Sequence, residues 1–115
     1  MKIIGYCRVN DSENNEQSYE DQEQAIIDVA AHYHLDQPSM IFDKGTSAAV
    51  PFLECPAAPV FRNLDQGDII VVATMDRLFG SHQIAQEMLE VWKKAGIRLF
   101  VAGMVEVTAE NLNYF

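Results

Sequence analysis

The chain has 115 residues, a formal net charge of −9 and 49% hydrophobic residues, which fits one small domain, residues 1–115, with its own core. No apolar run approaches the roughly 20 residues of a membrane-spanning helix, and the first residues lack a signal-peptide layout. Only eight Lys and Arg residues are present and they are scattered, so nucleic-acid binding by the chain alone should be weak. A cytoplasmic protein is expected.

The first half of the chain predicts two strands and one helix. A short apolar run over residues 3–10 predicts a buried strand. Apolar residues at helical spacing predict a helix over about 19–33. A second strand covers 40–42 and ends at Asp43. The loop that follows, over 44–56, has a length that is often functional.

The second half continues the alternation of helices and strands. In order, the sequence predicts a short helix over 57–64, a β-branched buried strand over 69–73, a helix over about 82–95, a strand over 97–102 and an edge strand over 105–107; residues 109–115 have no room for a substantial element. This order predicts an α/β fold with three layers: a mainly parallel sheet of four to five strands with helices on both faces.

Arg8 is the unusual residue of the first strand, since a buried guanidinium needs an anionic partner. Two interpretations remain open: an ion pair with Asp43 or Asp76, or a phosphate site. Carboxyl ends of parallel strands form sites at one edge of a sheet, and this edge would gather Arg8, Asn10, Asp43, Ser47, Asp76 and Arg77. The cysteines, Cys7 and Cys55, have no metal-ligand spacing, so no metal is expected, and since the sequence contains no GxGxxG or P-loop motif, no cofactor is expected.

Several segments together resemble the catalytic domain of the serine recombinases, the resolvase and invertase family. They are GYCRV at 5–9, QSYEDQ at 17–22, FDKGTS at 42–47, GDIIVVA at 67–73 and DRLF at 76–79. The resemblance implies a resolvase-like fold. It also implies DNA strand exchange, in which a serine hydroxyl attacks a phosphodiester and forms a phosphoserine link, while arginines offset the developing charge. Neither metal nor cofactor is implied.

The resemblance also implies which positions form the site. Matching positions are Arg8, Asp43, Ser47, Asp76 and Arg77. Gln17 matches a glutamine that follows the nucleophile in the family, but its spacing here is a few residues too long, so Asn14 is a rival.

Departures from the family pattern predict an inactive site. Asn10 stands where the family has its nucleophilic serine, and Cys55 and Gly80 stand where it has arginines. The family's long dimer helix and DNA-binding domain are expected to be absent. The chain is therefore expected to be a relic or a regulator, as a homo-oligomer or paired with another recombinase, with weak DNA binding.

Two alternatives to this reading stay open. In the first, the chain is an active recombinase that uses Ser12 as its nucleophile, or that takes the rest of its machinery from partners in trans. In the second, it is a small anion- or protein-binding module whose anion pocket contains Arg8 and Arg77.

Overall fold

The fold is given by a computed structural model that describes residues 2–9, 19–44, 62–73, 82–102 and 106–108. The elements in chain order are β1 (Ile3–Val9), α1 (Tyr19–His32), β2 (Ser39–Lys44), β3 (Ile69–Val72), α2 (His82–Ala95), β4 (Arg98–Val101) and β5 (Glu106–Val107). All of these were expected from the sequence, with ends that differ slightly. Most of the predicted helix over 57–64, and the segment 109–115, lie outside the described residues.

The strands form one sheet in the order β2-β1-β3-β4-β5. β1 pairs in parallel with both β2 and β3, and β3 pairs in parallel with β4. β5 is antiparallel to β4 and closes that side of the sheet. The prediction of a mainly parallel α/β sheet is therefore confirmed.

Helices cover both faces of the sheet. Since successive residues of a strand point to opposite faces, the apolar strands form one cluster with each helix. On one face Ile26 and Val29 of α1 pack against residues such as Cys7 and Val71. On the other face Ala85, Leu89 and Trp92 of α2 pack against a second cluster. The four residues of β3 are all buried, which explains their uniformly apolar, β-branched sequence.

Gly5 allows β1 to approach its neighbours closely on the α1 face. A Cβ atom at this position would lie 2.6 Å from Met40 Sδ and 2.9 Å from Ile26 Cγ2. Both distances are shorter than normal contact, so a methyl group here would displace the flexible Met40 side chain and crowd Ile26 of α1.

Asp68 fastens the amino ends of β1 and β3 together. Its side chain is 1% exposed, and its two carboxylate oxygens accept hydrogen bonds from the backbone N–H of Lys2 and of Asp65, each at 2.8 Å. Burial raises the pKa of Asp68, but these two N–H groups and the Lys2 ammonium lower it, with a net result below its usual 3.8. The ionised carboxylate is thus the form that the fold prefers.

Among the described residues, no helix is both long and apolar enough to cross a membrane.

Candidate functional site

Arg8 lies near the carboxyl end of β1 and is 2% exposed. Alternation along the strand puts its side chain on the same face as that of Tyr6, which packs in the cluster beneath α2. Cys7 points the other way, into the cluster beneath α1. A guanidinium held in such a dry position interacts strongly with any anion that reaches it.

The side chain of Gln22 holds the backbone of Arg8. Gln22 Oε1 accepts a hydrogen bond from the N–H of Arg8, and Gln22 Nε2 donates one to the C=O of Arg8, both at 3.1 Å. Gln22 lies in the first turn of α1 and its side chain is completely buried. The amide therefore joins the start of α1 to the end of β1.

The strand register brings one further site position next to Arg8. In the parallel pairing of β1 with β2, Arg8 is opposite Asp43 and Val9 is opposite Lys44. Asp43 is therefore placed beside Arg8 by the backbone, at the edge of the sheet where the site was expected.

The remaining predicted positions lie outside the described residues. They are Asn10, Ser12, Asn14, Gln17, Ser47, Cys55, Asp76, Arg77 and Gly80. Their convergence on Arg8 stays a prediction, as does the choice of partner for its guanidinium. The topology agrees with it in one respect: β3 runs parallel to β1, so its carboxyl end at Val72 points to the same edge.

Cys7 is adjacent to Arg8 in sequence but has no nucleophilic character. It is a free cysteine, and its side chain is fully buried. Burial, with a smaller contribution from the charge of Glu23, raises the pKa of its thiol to about 12. The thiolate is the reactive form of cysteine, so this residue acts as a packed apolar group. In the described segments no cluster of His, Cys, Asp and Glu residues is suited to hold a metal ion.

Sequence reasoning did not single out Gln22, although it lies within a motif that resembles the family. A signal was present: Gln22 is four residues before Ile26 and continues the buried stripe of α1 toward its start. A polar residue at a position where an apolar one is expected indicates a buried hydrogen-bond partner.

Three comparisons bear on the family of this chain. The family model described as Resolvase, N terminal domain, matches residues 3–111. The crystal structure of the N-terminal catalytic domain of TP901-1 integrase is similar with a TM-score of 0.66 and 19% sequence identity, over 96% of this chain and 78% of that one. At this identity the structural match concerns the fold. No curated protein sequence matches.

Proposed function

The chain belongs to the resolvase N-terminal domain family, and from this membership we propose that it is a serine-recombinase-like catalytic domain that does not cleave DNA. The family consists of DNA recombinases. One observation carries the proposal: β1 ends in Arg8 and Val9, and the next residue is Asn10. A serine at this point would supply the hydroxyl that becomes joined to the DNA phosphate, and a carboxamide has no hydroxyl to supply.

The surrounding arginines are also fewer than the family pattern requires. Cys55 and Gly80 occupy two positions where arginines are expected. Removing one preorganised group that stabilises developing negative charge costs about 10²–10³ in rate. Loss of two such groups supports inactivity independently of Asn10.

The negative net charge of the chain supports weak binding to DNA. The net charge is −9, and the exposed residues of α1 include Glu20, Asp21 and Asp28. Like charges repel the phosphate backbone, and the favourable release of counterions requires cations. Within this proposal the role of the domain is to regulate by pairing with an active recombinase, or it is a relic.

The proposal is tested on supercoiled plasmid that carries the genomic DNA flanking the coding sequence. The wild type, Asn10→Ser and Ser12→Ala are incubated with it and analysed on denaturing gels for protein linked to DNA, with an active serine recombinase on its own target as the positive control. We expect no adduct in any of the three. An adduct formed by the wild type and lost in Ser12→Ala would overturn the proposal in favour of Ser12 as nucleophile.

The response of Asn10→Ser separates the two reasons for inactivity. If the missing arginines matter as argued, restoring the hydroxyl alone leaves cleavage undetectable. Cleavage by this single variant would show that the arginine positions at Cys55 and Gly80 are dispensable and that Asn10 alone silences the site.

A second function is favoured by the way Arg8 is retained. Its side chain is buried and its backbone is hydrogen-bonded to Gln22. Burying a charged group is costly, so its retention in a domain without catalysis favours a binding role. We infer that the domain binds a phosphate-bearing ligand at this edge of the sheet. An NMR titration with inorganic phosphate tests this inference. We expect chemical-shift changes at Arg8, and their absence would contradict phosphate binding.

A further inference from the structure

The amide of Gln22 takes the place of a strand neighbour for Arg8. Within the described residues, the pairing between β1 and β3 ends at Tyr6 and Val72, two residues before Arg8. Beyond that point Gln22 provides one acceptor and one donor to the N–H and C=O of Arg8, both at 3.1 Å. This is the combination that a neighbouring strand supplies in a sheet.

We propose that Gln22 is a positioning residue that sets the backbone of Arg8 and thereby the placement of its guanidinium at the carboxyl edge of the sheet. Strand alternation places the side chain of Arg8 on the same face as Tyr6, which packs in the cluster beneath α2, whereas Gln22 reaches the backbone of Arg8 from α1. The helix on one face thus fixes a charged group presented on the other. The anion-binding part of this proposal rests on the proposed function, whereas the fixing of the backbone does not.

The chemistry of the contact specifies an amide. Gln22 must accept with one atom and donate with the other. Methionine has a similar length but makes neither of the two hydrogen bonds to the backbone of Arg8. An ionised carboxylate accepts twice and cannot donate, while a protonated carboxyl has one acceptor and one donor and reproduces the amide.

Gln22→Glu is therefore a variant in which pH decides the outcome. Burial and the nearby acids Asp21 and Glu23 of α1 raise the pKa of a carboxyl at this position, whereas the cationic Arg8 lowers it. The neutral form of the introduced side chain is therefore reached by acidification. In acid the variant should behave as the wild type, and at higher pH it should behave as Gln22→Met. Gln24→Glu is the matched control, because Gln24 lies on the same helix, is exposed, and donates a hydrogen bond to exposed Asp28 at 2.9 Å.

The experiment follows the backbone N–H and the side-chain Nε–H of Arg8 by NMR, with and without inorganic phosphate. In Gln22→Met we expect faster solvent exchange of the Arg8 backbone N–H and phosphate affinity lowered by about tenfold or more. Gln22→Glu should regain both properties reversibly on acidification of the same sample. Gln24→Glu should match the wild type throughout.

The outcomes separate the two proposals. Wild-type exchange of the Arg8 N–H in Gln22→Met, with an unchanged Arg8 Nε–H signal, would overturn the positioning role. If Gln22→Met does not fold, a Gln22→Glu variant without any acid-dependent recovery at Arg8 overturns it instead. If the NMR signals of Arg8 in the wild type do not change with phosphate, while solvent exchange of the Arg8 backbone N–H still depends on Gln22, the anion-binding function fails and the positioning role stands.

Discussion

Replacing Asp68 by asparagine tests how strongly one carboxylate holds the amino ends of β1 and β3. Each oxygen of Asp68 accepts a backbone N–H at 2.8 Å, one from Lys2 and one from Asp65. Asparagine has nearly the same size but only one acceptor oxygen. In Asp68→Asn one of these N–H groups therefore faces an NH₂ group and loses its partner.

The expected loss follows from these contacts. A hydrogen bond to a charged group contributes about 1.5–3 kcal/mol, and the N–H that loses its partner adds up to about 1 kcal/mol, because both bonds are only partly buried. The ammonium of Lys2, 3.5 Å from the carboxylate, adds little because the Lys2 side chain is half-exposed. We expect Asp68→Asn to lower the free energy of unfolding by about 2–4 kcal/mol at neutral pH.

The effect should depend on pH in a defined direction. The folded-state pKa of Asp68 is lower than its usual 3.8, so the carboxylate stabilises the fold fully above the unfolded-state pKa. This contribution is lost as pH falls below about 4 toward the folded-state pKa. The difference between the wild type and Asp68→Asn should be constant from about pH 5 to 7 and shrink in acid.

Urea denaturation followed by the fluorescence of buried Trp92 measures this difference. Asp65→Asn is the control, because the side chain of Asp65 is 84% exposed and forms a long ion pair, 3.8 Å from the Lys2 ammonium. The effect of this substitution on the free energy of unfolding should stay below about 1 kcal/mol. Equal effects of the two substitutions, or an Asp68→Asn effect that grows below pH 4, would refute the reasoning.

Other substitutions and treatments test the packing around the same strands. Gly5→Ala should lower stability by about 1–3 kcal/mol in urea titrations, because its Cβ would lie 2.9 Å from Ile26 Cγ2; an unchanged midpoint would contradict this. Cys7 should resist thiol reagents at pH 8 in the native state and react in urea, since its pKa is raised to about 12; rapid native labelling would argue against burial. Arg98→Gln removes a bidentate contact to Glu106 at 2.8 and 3.1 Å on the surface, and calorimetry should find a change under about 1 kcal/mol.

Much of the fold was predictable because its signals are local in sequence. The run Ile69–Val72 is entirely apolar and β-branched, and it forms the fully buried central strand β3. The periodic apolar residues of His82–Ala95 mark the face of α2 that packs on the sheet. The ends of elements were predicted less accurately: β2 continues through Lys44, beyond the predicted end at Asp43.

The candidate site was predictable only in part. The register places Asp43 opposite Arg8 in the sheet, at the carboxyl ends of parallel strands where the site was expected, while the convergence of the other positions stays a prediction. Gln22 was not anticipated as a partner, because helix patterns identify which face is buried but not which group a buried polar atom will bond.

The sequence by itself determined the order of strands and helices, the resemblance to a recombinase and the prediction that Asn10 stands where the family has its nucleophile, because each of these is carried by neighbouring residues. Tertiary structure alone decided how Arg8 and Asp68 are held. Gln22 is 14 residues from Arg8, and Lys2 is 66 residues from Asp68. No local pattern encodes such pairs; they form because folding buries polar groups that must then find partners wherever the chain brings them.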